Sequence, residues 1–280
     1  MPKLNEIEFL DKFYDQMGKD AGMRFALDKP FSHENCSRYL VDLGRVMCLL
    51  PEPPARVLDL GIGPGWTSVF LAKRGYHVVG QDICPGAIEL AEKFRDRYEA
   101  DSATFVVQDY ESMPFEKEFD AALFYDALHH AEDERAALAA VYRALKPGGV
   151  CVTVEPGMGH SNSAPTLEAI ATYGVTEKDM PPSHVIALGR DIGYTSFRVY
   201  ERDMEPAPKL VTDLDRPVPA SPPLPPLGRL RVAVRFARKA FRAALYGTCR
   251  EDYDLFPGMA EPDAAPAPDL RQGNIVWMQK

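Results

Sequence analysis

Two short runs concentrate the side chains able to move a proton: Asp126-Ala127-Leu128-His129-His130 and Glu155-Pro156-Gly157-Met158-Gly159-His160. Each follows an apolar stretch of strand character, Phe119-Asp120-Ala121-Ala122-Leu123-Phe124 or Val150-Cys151-Val152-Thr153-Val154. Both runs therefore belong at the carboxyl edge of a sheet, where open α/β folds bind ligands. A histidine there can take the proton of a hydroxyl nucleophile. That makes His129, His130 and His160 candidate bases, with Asp126 and Glu155 as candidate carboxylates beside them. On residue type, His129, His130, His160 and Glu155 could also ligate a metal. Neighbouring histidines on a helix diverge by about 100°, so one would face away and no metal is expected. Glu155 is equally suited to bracing a loop.

A sheet with that edge has to be built around the segment Val57-Leu58-Asp59-Leu60-Gly61-Ile62-Gly63-Pro64-Gly65-Trp66. Val57, Leu58 and Leu60 read as a buried strand. Three alternating glycines let the chain turn sharply and come close to a ligand, and a helix starting near Trp66 would aim its unpaired N–H groups at it. The Asp-x-Gly-x-Gly-x-Gly spacing differs from the Gly-x-Gly-x-x-Gly dinucleotide turn, and Pro64 without a following Gly-Lys-Ser/Thr excludes a P-loop. Tyr76-His77-Val78-Val79-Gly80-Gln81 is a second strand ending in Asp82, placed to accept from ribose hydroxyls. Thr104-Phe105-Val106-Val107 is a third and runs into Gln108-Asp109-Tyr110, where a carboxylate and an aromatic ring suit an adenine. The stretches ending at Phe124 and Glu155 are the fourth and fifth strands, joined by an alanine-rich helix from Ala136 to Leu145 that ends at Lys146-Pro147-Gly148-Gly149.

From about Arg56 to Glu155, these motifs in register resemble the class I S-adenosylmethionine-dependent methyltransferases. The resemblance implies a doubly wound, Rossmann-like α/β fold with a seven-stranded sheet. It implies that Gly61, Gly63 and Gly65 wrap the methionine part of the cofactor, Asp82 with Ile83 holds the ribose, Asp109 with Tyr110 holds the adenine, Asp59 orients the glycine loop, and Tyr125 borders the site. S-adenosylmethionine is the expected cofactor and S-adenosylhomocysteine its product. The run Phe124-Tyr125-Asp126-Ala127-Leu128-His129-His130-Ala131-Glu132-Asp133 looks like enzymes acting on small molecules, and it lacks the Asn-Pro-Pro-Tyr pattern of those that methylate amino nitrogens of bases or glutamine. Glu155-Pro156-Gly157-Met158-Gly159-His160-Ser161 and the segment Tyr173 to Ser183 look like bacterial methyltransferases found with glycan-assembly enzymes. An oxygen of a sugar or glycan intermediate is the expected acceptor. A natural-product O-methyltransferase and a non-catalytic, cofactor-binding scaffold are the alternatives.

The chain has 280 residues, 46% hydrophobic and 26% charged, enough for one α/β domain with additions. A net charge of -9 argues against general nucleic-acid binding. Five cysteines without paired spacing, no leader pattern and no long apolar run imply a reducing, cytoplasmic setting. Residues 1–50 read as helices, with Phe9, Phe13, Met17, Tyr39, Leu43 and Val46 at helical spacing, and the resemblance makes them a cap over the cofactor mouth. Residues 51–202 form the cofactor-binding core, including a sixth strand at Phe197-Arg198-Val199-Tyr200, and 271–280 supply its last strand. Between them, 203–270 is an insertion. It opens with eight prolines in 203–227, followed by 228–246 with six basic residues and no acidic one. On a helix Arg231, Arg235, Arg238 and Arg242 share one stripe beside an apolar one, which suits an anionic membrane surface, a phosphorylated substrate or an acidic partner, or else a solvated face.

Overall fold

The computed structural model describes residues 2–202 and 273–280, and the proline-rich and basic stretches of the insertion lie outside the described residues. Seven strands form one sheet in the order β3-β2-β1-β4-β5-β7-β6. They are β1 (Arg56–Leu60), β2 (His77–Asp82), β3 (Ala103–Val107), β4 (Phe119–Tyr125), β5 (Leu145–Glu155), β6 (Ser196–Glu201) and β7 (Asn274–Gln279). The first five run parallel, and β7 lies antiparallel between β5 and β6. The strand order reverses between β1 and β4, so the crevice outside their carboxyl ends is the expected ligand site of a doubly wound sheet.

Burial on both faces follows from the sequence. In β1 all but Arg56 are buried, and β4 is buried along its length except for Asp120. Val57, Leu123 and Val152 face one side, packed with Trp66, Val69 and Leu71 of α5 (Trp66–Arg74), Phe94 of α6 (Pro85–Tyr98) and Tyr39, Leu43 and Val46 of α4 (Cys36–Leu49). Leu58, Phe124 and Cys151 face the other, against Leu138 and Val141 of α7 (Glu134–Ala144) and Val185 of α9 (Pro182–Ile192). Continuous apolar runs suit strands covered on both faces. One residue breaks this logic: Asp42 sits on the apolar face of α4 and is fully buried. A buried carboxylate needs a charged partner, and its partner lies in the site described below.

The chain begins with α1 (Pro2–Ile7), α2 (Phe9–Met17) and α3 (Lys19–Leu27), and α8 (Ala164–Tyr173) follows β5. Helix starts are marked chemically. The Asp133 carboxylate accepts from the Ala136 N–H ahead of α7, and the Ser163 hydroxyl accepts from the Thr166 N–H ahead of α8. The alanine-rich helix spans Glu134–Ala144, two residues earlier at its start than its composition suggests, because Asp133 caps it.

Candidate functional site

The glycine turn after β1 is held from beneath. The buried Asp59 carboxylate accepts from the Thr67 and Ser68 hydroxyls at 2.7 and 2.6 Å, tying the end of β1 to the first turn of α5. Burial raises this carboxyl to about 6 against those hydrogen bonds. Gly61 and Gly65 both have positive φ, and an added Cβ would strike Ala127 Cβ at 2.8 Å and Ala91 Cβ at 2.6 Å, respectively. Both positions therefore exclude any side chain. At Gly63 a Cβ would meet nothing within 4 Å, so open space comes close to the backbone there.

That space is a cavity of about 200 Å³ lined by Gly61, Gly63, Asp82, Ile83, Asp109 and Tyr110, among others. The Asp82 carboxylate accepts from the Gly63 N–H at 2.8 Å and from the Cys84 N–H at 2.9 Å. Desolvation nonetheless lifts its pKa to about 6. Each carboxylate oxygen retains accepting capacity for a ribose hydroxyl. The Tyr110 ring packs edge-on against Phe124, and its hydroxyl donates to the Ala127 carbonyl at 3.3 Å. Helix α1 supplies part of the wall. Lys3 Nζ donates to Asp109 at 2.6 Å and to Glu111 at 2.9 Å, and Glu6 accepts from the Thr176 N–H at 2.8 Å. Burial raises the Glu6 carboxyl to about 7.

A second cavity of about 580 Å³ lies beyond the ends of β4 and β5, and Asp126 and His130 line both cavities. The short helical turn Leu128–His130 presents the two histidines with ring centroids 4.1 Å apart, and they are electrostatically opposite. His129 Nδ1 meets Glu155 Oε2 at 2.6 Å and Nε2 lies 3.4 Å from Glu177 Oε2. Burial opposes its charge, but the two carboxylates prevail and raise His129 to about 10. His130 is lowered to about 4 by burial and by the charge on His129. It is therefore neutral near pH 7. Its Nδ1–H donates to the Thr176 carbonyl at 2.6 Å, which leaves Nε2 with the lone pair. His160 Nε2 donates to Glu177 at 2.8 Å.

Arg202, immediately after β6, completes the site. It binds both Asp126 oxygens at 2.6 and 2.8 Å and the Asp42 carboxylate through Nε at 2.9 Å. The Tyr125 hydroxyl donates to Asp42 at 3.0 Å. Burial opposes ionisation of Asp126, but Arg202 outweighs it and holds that carboxyl near 2.

Residues 58–153 match the Methyltransferase domain family. A demethylmenaquinone methyltransferase from Clavibacter sepedonicus is 36% identical over 106 residues, 38% of this chain and 42% of that protein. This chain carries a class I S-adenosylmethionine-dependent methyltransferase domain. A ubiquinone biosynthesis O-methyltransferase from Xanthomonas campestris pv. campestris is 30% identical over 136 residues, 48% of this chain and 54% of its own length. These alignments thus span about half of each relative or less. The fold matches phosphoethanolamine N-methyltransferase 2 of Haemonchus contortus, solved with S-adenosyl-L-methionine, at a TM-score of 0.58 and 19% identity, over 97% of this chain and 60% of that one. S-adenosylmethionine is the cofactor of the methyltransferase domain. The residues present fit it: the carboxylates of Asp82 and Asp109 and the ring of Tyr110 line the cavity that the three glycines open.

The methyltransferase domain thus brings Gly61, Gly63, Asp82, Ile83, Asp109 and Tyr110 to one cavity, with Asp59 and Gly65 shaping the loop from behind. Tyr125 does not line it. Its ring packs edge-on against Tyr39 and Trp66 on the α4 side of the sheet. Of the polar candidates, His129, His130, His160 and Asp126 line the second cavity, whereas Glu155 is wholly buried. Its Oε1 accepts from the Ala127 and Leu128 N–H groups and its Oε2 meets His129. Glu155 braces the loop and the imidazole and cannot reach a substrate, and the Asp126 oxygens are already engaged by Arg202. The expectation that one histidine of the pair faces away fails, because the turn after β4 is a tight one rather than the start of α7. Sequence reasoning passed over Arg202, Asp42, Glu6, Lys3 and Glu177. An acidic residue on the apolar stripe of α4 was the available signal for Asp42. Glu177 lies inside the segment Tyr173 to Ser183, whose resemblance gives the carboxylate no role.

Proposed function

We propose that this protein transfers a methyl group from S-adenosylmethionine to an oxygen of a small polar acceptor seated in the second cavity. The observation that carries the reading is the wall shared by the two cavities, where Asp126 and His130 border both. Bound in the glycine-lined cavity, the cofactor supplies an electrophilic methyl group on a sulfonium sulfur. His130 presents an unprotonated Nε2 and accepts the proton of the acceptor hydroxyl, which the Thr176 carbonyl supports by fixing the tautomer. Asp126, locked by Arg202, keeps a fixed negative charge beside it. The lining of the second cavity is rich in hydrogen-bonding groups, including Ser163, Thr166, His160, Glu177 and Arg38. It suits a polyhydroxylated acceptor such as a sugar better than a flat apolar ring. Helices α1, through Lys3 and Glu6, and α2, through Phe9 and Leu10, form part of the cofactor cavity wall and are in position to act as a cap that closes over the cofactor.

The test is transfer of an isotopically labelled methyl group to a panel of free sugars, nucleotide sugars and phenols. Labelled methyl ether on a sugar class is the expected result. Transfer only to phenols overturns the acceptor class, and cofactor binding without transfer to any acceptor overturns the activity in favour of a scaffold role.

A further inference from the structure

We propose that His129, His160 and Glu177 form a site for one divalent transition-metal ion, open toward the acceptor cavity. The three ligand atoms lie within 4.8 Å of one another. Glu177 Oε2 is 2.8 Å from His160 Nε2 and 3.4 Å from His129 Nε2. Ligands about 2.0–2.2 Å from a zinc-like ion stand roughly 3–3.5 Å apart in tetrahedral or octahedral arrangements, so the His129–Glu177 spacing already suits the ion and a small opening of the His160–Glu177 pair admits it. Two nitrogen donors converging on one carboxylate oxygen put N–H hydrogens where the cation would sit, and the ion replaces them.

The surroundings point the same way. Glu155 Oε2 meets the other ring nitrogen of His129 at 2.6 Å, which is the carboxylate support that metal-binding imidazoles typically have. His129 is clamped from both sides, whereas a base poised for turnover would need a free nitrogen. Three protein ligands, two nitrogens and one oxygen, leave open coordination positions, as catalytic rather than structural sites do. His129, His160 and Glu177 all line the 580 Å³ cavity, so those positions face the acceptor. Imidazole donors favour zinc, cobalt or nickel over magnesium. Resting on the function proposed above, the ion would bind an acceptor oxygen and lower the pKa of its hydroxyl.

The test uses tag-free, chelator-treated protein titrated with cobalt(II), followed by visible ligand-field absorption and calorimetry. One ion per chain is expected, with loss of about tenfold or more in affinity in His160→Ala and in Glu177→Gln. His160 is partly exposed, so its removal leaves the core intact. His184, exposed on α9, is the control, and His184→Ala should bind cobalt normally. No binding, or binding that survives both ligand substitutions, overturns the site. Cobalt binding in a protein that methylates nothing supports the site and separates its fate from that of the proposed activity. Methyl transfer at full rate in chelator-treated protein overturns the ion's part in catalysis.

Discussion

Arg202 grips Asp126 with two parallel hydrogen bonds of 2.6 and 2.8 Å across 76 positions of sequence, and so fastens the end of β6 to the end of β4 at the edge of the second cavity. Asp126 has a φ of 47°, a strained conformation for a residue with a side chain. Backbone strain of this kind persists where surrounding contacts over-determine it, and the Arg202 fork is the principal contact. Replacing Arg202 by Met would strand the carboxylates of Asp126 and Asp42. The expected loss is on the order of 3–5 kcal/mol of stability, readable by denaturant unfolding. A loss below about 1 kcal/mol would show that the pair contributes little to the fold.

Cofactor affinity should follow the ionisation of Asp82. Its pKa of about 6 in the free protein lies above the ordinary carboxyl value, and only the carboxylate accepts fully from two ribose hydroxyls. Binding therefore favours the ionised form, releases a proton near pH 6, and weakens as the pH falls through that value. Calorimetry at pH 5, 6 and 7.5 checks this. Asp82→Ala should cost about 1.5–3 kcal/mol of binding and flatten the pH dependence. A pH-independent affinity in the wild type would remove Asp82 from the ribose contact.

The two adjacent histidines should fail differently. His130→Ala should lower turnover by roughly two orders of magnitude with cofactor affinity kept, since it deletes a base and few packing contacts. His129→Ala leaves the fully buried Glu155 without its imidazole partner, and the expected effect is a loss of several kcal/mol in stability. Thermal melts and single-turnover rates on the two variants separate the roles. Equal melting losses would return His130 to a structural part.

Lys3 holds an Asp109 carboxylate oxygen, the one that an adenine amino group would engage if Asp109 reads the adenine as the family resemblance implies. Lys3→Met should therefore tighten cofactor binding by about two- to fivefold at low salt, the range expected for a partly exposed ion pair. The advantage should shrink at 1 M salt, where charges are screened within about 3 Å. Weaker binding in the variant would instead make Lys3 a direct ligand of the cofactor.

How far the sequence reveals this molecule depends on distance along the chain. The glycine turn, Asp82 and Asp109 are legible because each lies within a few residues of the strand that aims it. The seven strands are legible as local apolar runs, but the antiparallel placement of Asn274–Gln279 between β5 and β6 is not. The helix Pro85–Tyr98 carries no motif, and nothing but its amphipathic pattern marks it. Arg202 and Asp42 are 160 positions apart, and they meet only because the tertiary fold brings the residue after β6 to the buried face of α4. The roles of Glu155 and Glu177 are set by what His129 does between them. No spacing rule links a strand end, a helical turn and a loop that lie this far apart in the chain.

The Arg202 N–H donates to the Gly273 carbonyl at 3.3 Å, and Glu201 pairs with Asn274. The chain thus leaves the sheet and re-enters it at one point, as a hairpin does, whatever length lies between. The entropy cost of closing such a loop rises only with the logarithm of its length, about 0.6 kcal/mol per doubling. The β6–β7 register and the grip of Arg202 are thus fixed by the residues on the two sides of that point, Glu201 and Arg202 on one and Gly273 and Asn274 on the other, and not by the number of residues that join them.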